Sequence, residues 1–325
     1  MLHTRFTDLV GCDAPIQLAP MGAISSSDLL RAVVDAGGMG MCSLPMAPAD
    51  AVAQLLDALL EVTPIGFNVL VPFLDLDVID AAASRCRLVD FYHGPVDAAV
   101  VARVHDGGAF AGWQTGDVDE ARAAADAGCD VLVVRGTEGG GRMYGGRGLW
   151  PLLAEVLDAV DVPVLAAGGI ASGRLLAAAL AAGADGVRLG TRFVATLESG
   201  AHDAYKQALV TAPGDGTVLT EAYATMWPDT VRTARVLRRA LAAAEATEQD
   251  PVGQMMMGPM QVDVPRFGVA PPPASATGDV DAMAMYAGES AGAVTSIEPA
   301  REVLRRIVHE AEDRLRASRA ALRNE

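Results

Sequence analysis

Short apolar runs alternate with amphipathic, alanine-rich stretches from Ile16 to Leu189. A short apolar run is typical of a buried strand, and the stretches between the runs have the 3.6-residue period of a helix. Strand–helix units that repeat in this way require parallel strands with helices on the outside. The predicted strands are Ile16–Ala19, Gly38–Met41, Ile65–Leu70, Leu88–Tyr92, Ala109–Trp113, Val131–Arg135, Val164–Ala166 and Gly186–Leu189.

Helical patterns fill the gaps between these strands, and several end in an Ala-Gly pair directly before the next strand, as at Ala182-Gly183. Glycine is a common residue just past a helix C-terminus. Eight such units favour closure into a (β/α)8 TIM barrel, with an open doubly wound sheet as the alternative. Helices are predicted to open at Ser25–Asp28 and near Ala49, and to run over Asp117–Ala127, Leu149–Ala159 and Ser172–Ala182.

The pattern changes after Thr191. Glu198–Val210 and Thr230–Ala246 are predicted helices, and so is Glu298–Arg319, which carries charges on one face. Between them, the Met-, Pro- and Gly-rich stretch Pro251–Asp279 is interpreted as a long loop or lid, either a disordered insertion or an adaptable apolar wall over a substrate pocket. The predicted organisation is a (β/α)8 barrel over residues 1–197, with additional helices, the lid loop and a C-terminal helix packed on the barrel over residues 198–325.

Composition narrows the class of protein. The chain has 325 residues, 51% of them hydrophobic, which suffices for one large barrel with additions. A net charge of −16 argues against nucleic acid or an anionic membrane as a partner. The four cysteines lack metal or redox spacing, so we interpret them as reduced structural thiols. Met1–Val10 has no apolar leader and no stretch is long enough to span a membrane, so a cytoplasmic location is expected.

Glycine-rich turns follow the seventh and eighth predicted strands, at Gly168-Gly169-Ile170 and Gly190-Thr191. Barrel enzymes often bind phosphate between the loops after these two strands. Glycine lets backbone N–H groups approach the phosphate oxygens, and Ser172 would cap a helix whose N-terminal dipole favours the anion. Each motif alone could be a structural tight turn; together they predict a phosphate site.

Further candidates follow other strands at the same end of the barrel. After the sixth strand, Arg135 and Glu138 flank Gly139-Gly140-Gly141, whose backbone could lie flat along a planar ligand, with a flexible surface loop as the alternative. Ala19-Pro20-Met21-Gly22 follows the first strand, and Asn68 lies in the third. The Met21 side chain could pack on a flat ring, and the Asn68 amide could hydrogen-bond a ring edge.

Read in order, these motifs resemble the nitronate monooxygenase (2-nitropropane dioxygenase) family and its relative, the flavin-dependent enoyl-acyl-carrier-protein reductases. The resemblance runs from about Phe6 to Ala291 and includes Gly66-Phe67-Asn68, Gly190-Thr191-Arg192-Phe193 and Tyr286–Ala291. It implies FMN at the mouth of the barrel, with Gly169, Gly190 and Thr191 at its phosphate and Gly288 and Ser290 closing over it. The other implied cofactor-binding residues are Ala19, Pro20, Met21, Gly22, Asn68, Gln114, Arg135, Gly139, Gly140, Gly141, Gly168, Ile170 and Tyr286.

One departure from the family concerns its catalytic residue. The family's glycine loop ends in a histidine that acts as base or acid, and Arg142 takes that place here. An arginine side chain cannot accept a proton at working pH, but it could hold an anionic substrate or stabilise a developing negative charge. Tyr92 and His93 end the fourth strand, near a position where the family often has a histidine. We therefore name His93, Tyr92 and Arg142 as candidate catalytic residues.

The sequence thus predicts an FMN-dependent oxidoreductase acting on a small organic substrate. Nitronate oxidation and reduction of an activated C=C bond or a quinone both stay open, the latter with NADH or NADPH as a transient electron donor. The alternatives are a non-redox TIM-barrel enzyme for a phosphorylated metabolite, with Glu138 as its one well-placed acid, and a flavoprotein that has lost catalysis. A homodimer through the C-terminal helices is a further hypothesis, and no metal site is predicted.

Overall fold

The computed structural model describes residues 2–228 and 233–321. In chain order its strands are β1 (Ile16–Leu18), β2 (Gly40–Cys42), β3 (Ile65–Leu70), β4 (Leu88–Tyr92), β5 (Phe110–Thr115), β6 (Val131–Arg135), β7 (Gly141–Arg142), β8 (Val164–Ala167), β9 (Gly186–Leu189), β10 (Thr217–Thr220), β11 (Ala234–Leu237), β12 (Gly253–Met257), β13 (Met260–Val264) and β14 (Thr277–Gly278). Its helices are α1 (Arg5–Val10), α2 (Ser27–Asp35), α3 (Ala49–Asp57), α4 (Leu76–Ala83), α5 (Ala98–Asp106), α6 (Val118–Asp126), α7 (Leu149–Ala159), α8 (Gly173–Ala181), α9 (Thr191–Val194), α10 (Asp203–Val210), α11 (Arg238–Ala246) and α12 (Ala300–Ala321).

Eight parallel strands form a closed barrel. They pair in the order β1-β9-β8-β6-β5-β4-β3-β2, with parallel register throughout. Hydrogen bonds from Leu18 N to Met39 O (2.9 Å) and from Met39 N to Ile16 O (3.0 Å) join β1 to the start of β2 and close the ring. The predicted (β/α)8 barrel is therefore confirmed, and β3, β4, β6 and β9 have the predicted bounds.

The barrel has an apolar layer between its strands and the surrounding helices. A second apolar cluster fills its lower end, which is the end formed by the N-termini of the strands. Leu18 and Val187 point outward and belong to the core shared with the surrounding helices. Inside, Leu88, Val131 and Leu165 pack with Phe6 of α1, which covers the N-terminal ends of the strands. These side chains fill the N-terminal end, so we expect a ligand to enter at the C-terminal ends of the strands, where barrel active sites lie.

Arg5 and the Ala-Gly turns fix the lower end locally. The Arg5 guanidinium donates to both carboxylate oxygens of Asp185, with Nε–Oδ1 and Nη2–Oδ2 distances of 2.9 and 2.7 Å. Gly37, Gly128 and Gly183 follow their helices with φ values of 94°, 94° and 106°, a left-handed conformation that favours glycine. The prediction that glycine ends these helices is confirmed.

Two small antiparallel sheets lie beyond the barrel, and both correct the sequence prediction. The predicted helix Thr230–Ala246 is wrong at Ala234–Leu237, because these residues form strand β11, which pairs with β10 and β7. All four β11 residues are buried, so tertiary pairing overrides the helical pattern. Residues 230–232 lie outside the described residues. Likewise, Pro251–Asp279 is an ordered segment with β12, β13 and β14 rather than a loop.

The C-terminal helix packs on the barrel's own helices. The α12 side chains Val303, Leu304 and Ile307 are buried, and the helix approaches α8 so closely that a Cβ on Gly173 would lie 2.2 Å from Ile307 O. The buried half of α12 is thus used within the chain, and a homodimer through this helix stays a prediction. The division of the chain at residue 197, between the barrel and the additional elements, also stays a prediction. Among the described residues, no helix is both long and apolar enough to cross a membrane.

Candidate active site

A cavity of about 290 Å³ opens at the C-terminal ends of the strands. Side chains and turns from most barrel strands and from the segment after the barrel line it. Every residue named as a catalytic or cofactor-binding candidate for the flavin enzyme borders this one cavity. They are Ala19, Pro20, Met21, Gly22, Asn68, Tyr92, His93, Gln114, Arg135, Gly139, Gly140, Gly141, Arg142, Gly168, Gly169, Ile170, Gly190, Thr191, Tyr286, Gly288 and Ser290.

The turn after β8 exposes its backbone to the cavity. Gly168 and Gly169 have φ values of 108° and 70°, so side chains at these positions would be strained. A Cβ on Gly168 would also lie 3.0 Å from Gly139 N. The turns after β6 and β8 are therefore packed backbone against backbone. Ser172 caps α8 by accepting a hydrogen bond from Leu175 N (3.4 Å), as the sequence predicted.

A segment near the C-terminus, Tyr286–Ser290, closes one side of the site; we call it the closing segment. Gly288 N donates to Thr191 Oγ1 (2.9 Å), and Glu289 N donates to Glu138 O (2.8 Å). These two bonds attach the closing segment to the turn after β9 and to the glycine loop after β6. The site is thus completed by residues about 100 positions beyond the last barrel strand.

The glycine loop is ordered by strand pairing rather than flexible. Its last residues form β7, in which Gly141 and Arg142 pair with Arg235 and Ala234 of β11. The Arg135 guanidinium holds the loop from the inside by donating to Gly140 O and Arg142 O. The alternative interpretation of the glycine loop as a flexible surface loop is therefore wrong.

Tyr92 presents its hydroxyl within this framework. Its Oη accepts hydrogen bonds from Arg135 Nη1 (2.7 Å) and Tyr144 N (2.9 Å). Two donors hold the oxygen, so the remaining O–H proton is the group that Tyr92 can donate. Tyr92 is 6% exposed and lines the cavity.

His93 is buried in a left-handed backbone conformation, with φ of 70°. This conformation reverses the expected strand alternation and brings the imidazole to the cavity beside Tyr92, with ring centroids 3.7 Å apart. Its Nδ1 is buried without a hydrogen-bond partner in the described part of the chain. Burial lowers the pKa of His93 well below 6.5, and the charges of Arg135 and Arg142 lower it further. The imidazole is therefore neutral at neutral pH.

Arg142 is not a solvated loop arginine. It is 7% exposed, its guanidinium carbon lies 4.4 Å from the centroid of the Trp227 ring, and its Nη2 donates to Tyr223 O. Tyr286 also interacts with this guanidinium. Arg142 thus holds the segment around Trp227 against the site, a contact that sequence spacing does not reveal because Trp227 is 85 residues away.

Several cavity residues were missed by sequence reasoning. Arg188 lines the floor, and strand alternation in β9 could have found it, because it shares an inward face with Gly186. Trp227, Val269 and Pro271 lie after the barrel and carry no motif. Val269 and Pro271, rather than the methionine run, form the apolar wall expected of the Pro251–Asp279 stretch. Met256 and Met257 are 45% and 46% exposed on β12.

Glu138 and His202 have structural contacts. Both Glu138 carboxylate oxygens accept from Leu149 N, at 3.0 and 3.1 Å, at the start of α7. His202 caps α10, where its Nδ1 accepts from Ala204 N (3.1 Å). Glu138 therefore gives little support to an acid–base enzyme without a redox cofactor. Within the described ranges, no three His, Cys, Asp or Glu side chains group as a metal site.

The cysteines are free, buried thiols. Burial raises the pKa of Cys12, Cys42 and Cys129 to about 12, and that of Cys86 well above 9.0. Because the thiolate is the reactive form, we expect a disulfide reagent to react with the native protein on the order of a thousandfold more slowly than with the chain in guanidinium. Absorbance of the released thiol measures both rates. Rapid release of one equivalent from the native protein would contradict the buried placement.

Comparison with known proteins agrees with this geometry. The family model described as nitronate monooxygenase matches residues 75–310. A Mycobacterium tuberculosis protein named (3aS,4S,5R,7aS)-5-hydroxy-7a-methyl-1-oxo-octahydro-1H-indene-4-carboxyl-CoA dehydrogenase is 36% identical over 226 residues, which cover 67% of this chain. The match spans only 63% of that relative's length.

Two solved structures are similar over nearly the whole chain. FabK from Thermotoga maritima is 26% identical with a TM-score of 0.80, covering 99% of this chain and 100% of its own. The nitroalkane oxidase of Streptomyces ansochromogenes is 30% identical with a TM-score of 0.75, covering 97% and 100%. The family predicted from the motifs is confirmed. The chain belongs to the nitronate monooxygenase family, whose members are flavin-dependent oxidoreductases.

Proposed function

We propose that this protein is an FMN-dependent oxidoreductase that removes electrons from a small carbon acid or its anion, such as a nitroalkane or nitronate. One observation carries the proposal: the glycine turns, the Asn68–Gln114 amides and the His93–Arg135–Arg142 cluster all border a single cavity. The turns suit a phosphate, the amides a polar ring edge, and the cluster an anionic reactant.

The residues present fit FMN on structural grounds. The left-handed turn at Gly168-Gly169 and the turn at Gly190-Thr191 border the cavity, where their backbone N–H groups could meet a phosphate. Thr191 is already fixed by its bond to Gly288 N. Met21 would pack against the ring, and Asn68 with Gln114 would meet its polar edge. When bound, FMN supplies reversible acceptance of two electrons.

The substrate side of the cavity handles charge and protons. Neutral His93 lines the cavity, so its imidazole can accept a proton from a substrate C–H. The positive charges of Arg135 and Arg142 disfavour protonation of the His93 imidazole. The same charges stabilise the anion left on the substrate. Trp227 and Pro271 border the cavity and exclude water from its wall. A preformed nitronate would bind without the proton transfer.

Tyr92 favours a second candidate, the reduction of an activated C=C bond with NADH or NADPH as donor. Its oxygen accepts two hydrogen bonds, so its own proton is available to a substrate carbon. The dehydrogenase name of the Mycobacterium tuberculosis relative and the nitroalkane oxidase name of the Streptomyces ansochromogenes structure support the oxidative direction instead. We therefore place oxidation first.

Anaerobic absorbance of the purified, FMN-loaded protein tests the proposal. We expect the flavin band to bleach on addition of a small nitronate or nitroalkane, and to bleach much more slowly with NADH or NADPH. Rapid bleaching by a pyridine nucleotide alone would favour the reductase candidate. A protein that neither retains nor takes up FMN would refute both candidates.

A further inference from the structure

Five polar side chains form a buried network directly below the cavity. They come from β1, β3, β4, β5 and β9 and point into the barrel: Gln17, Asn68, Asp90, Gln114 and Arg188. Asp90 is 0% exposed and Arg188 4% exposed. Gly112 makes room for the carboxylate, since a Cβ there would lie 3.0 Å from Asp90 Cβ. A charged pair at this depth is costly unless every partner is hydrogen-bonded, so its arrangement is tightly constrained.

Arg188 is the centre of the network. Its Nε donates to Gln17 Oε1 (2.6 Å), its Nη1 donates to Gln114 Oε1 (3.0 Å), and its Nη2 donates to Asp90 Oδ2. Asn68 Nδ2 donates to the other carboxylate oxygen, Asp90 Oδ1 (2.8 Å). A guanidinium can only donate and a carboxylate can only accept.

These donor and acceptor roles determine the orientation of the two side-chain amides that face the cavity, those of Asn68 and Gln114. Gln114 must direct its oxygen at Arg188, which leaves its Nε2 donor for the cavity. Asn68 must direct its nitrogen at Asp90, which leaves its Oδ1 acceptor for the cavity. Both side chains line that cavity. The floor of the cavity therefore presents an acceptor at Asn68 and a donor at Gln114. Neither amide would favour this orientation alone.

We propose that Arg188 is a positioning residue that sets this orientation for the imide edge of the flavin, at Gln114 directly and at Asn68 through Asp90. That edge has an N3–H donor flanked by two carbonyl acceptors. Asn68 Oδ1 would take the N3–H, and Gln114 Nε2 would donate to a neighbouring carbonyl. This inference rests on the proposed function, since it assigns the edge of the FMN ring that meets the floor.

Competition between FMN and 3-methyl-FMN, which lacks the N3–H, tests the assignment without turnover. Flavin fluorescence quenching gives Kd for each. We expect the wild-type protein to prefer FMN on the order of tenfold to hundredfold, because 3-methyl-FMN leaves the Asn68 acceptor unpaired. In the double variant Asp90→Asn/Arg188→Gln the floor is neutral and its amides can turn either way. We expect this preference to fall at least about tenfold.

A matched control is Arg5→Gln/Asp185→Asn, which removes the ion pair at the opposite end of the barrel and should keep the wild-type preference. Circular dichroism shows which variants fold. Wild-type protein that binds both flavins equally would overturn the inference whether or not the variant folds, and so would a folded double variant with the full preference. Failure of the wild-type protein to bind FMN would instead refute the proposed function and, with it, this assignment.

Discussion

Replacing His93 with asparagine is expected to lower kcat/KM for a neutral nitroalkane by about 100- to 10,000-fold, the usual contribution of a general base. The corresponding preformed nitronate, which needs no proton abstraction, should lose less than about tenfold. Asparagine tolerates the left-handed backbone that His93 adopts, with φ of 70°, so the loop should keep its shape. Steady-state kinetics with the two substrates measure the difference.

The pH profile and a rescue experiment complete this test. Because burial lowers the pKa of His93 well below 6.5, kcat/KM should stay level as pH falls to 6.5 and decline only below it. Added imidazole should restore part of the lost rate in the asparagine variant. His309→Asn is the control, since the His309 side chain is 76% exposed on α12. Equal losses for nitroalkane and nitronate would contradict the role of His93 as base.

Replacing Gly140 with alanine is expected to weaken FMN binding by at least about tenfold and to destabilise the fold by about 1–3 kcal/mol. A Cβ at this position would lie 2.5 Å from Gly288 N and 2.6 Å from Ala287 C. Both contacts are with backbone atoms of the closing segment, so no side-chain rotation can relieve them. The glycine loop and the closing segment must therefore move apart. Flavin fluorescence titration and thermal denaturation with and without FMN measure the two effects.

Gly146→Ala is the matched control for this substitution. It lies in the same connection between β6 and α7, and a Cβ there would have nothing within 4 Å. FMN affinity and Tm should stay close to the wild-type values. If Gly140→Ala binds FMN as tightly as Gly146→Ala, contact between the loop and the closing segment does not shape the cofactor site.

The barrel was predictable because each strand is a short apolar run that ends at a glycine or polar turn. Val131–Arg135 and Gly186–Leu189 have their predicted bounds for this reason. The candidate residues at the strand ends border one cavity because parallel strands bring their C-terminal ends together. Tyr286, Gly288 and Ser290 follow the barrel, and only the family resemblance pointed to them. What the structure adds at the strand ends is orientation, as at His93, where the left-handed backbone turns the ring toward the cavity.

Features formed by distant pairing were not predictable in the same way. Ala234–Leu237 has a helical neighbour, and only its pairing with β7 and β10 makes it a strand. Trp227 and Arg142 meet through cation–π contact across 85 residues. Arg188 lies in an otherwise apolar strand, and its role depends on its ion pair with Asp90, which is 98 residues away. Local propensity contains no information on such contacts.

The closing segment also has a consequence for the order of events during biosynthesis. A growing chain completes all eight barrel strands by Leu189, well before Gly288 leaves the ribosome. Until then Thr191 Oγ1 lacks its Gly288 partner and the cavity is open on that side. The wall of the cavity beside Thr191 is therefore among the last parts of the molecule that translation supplies.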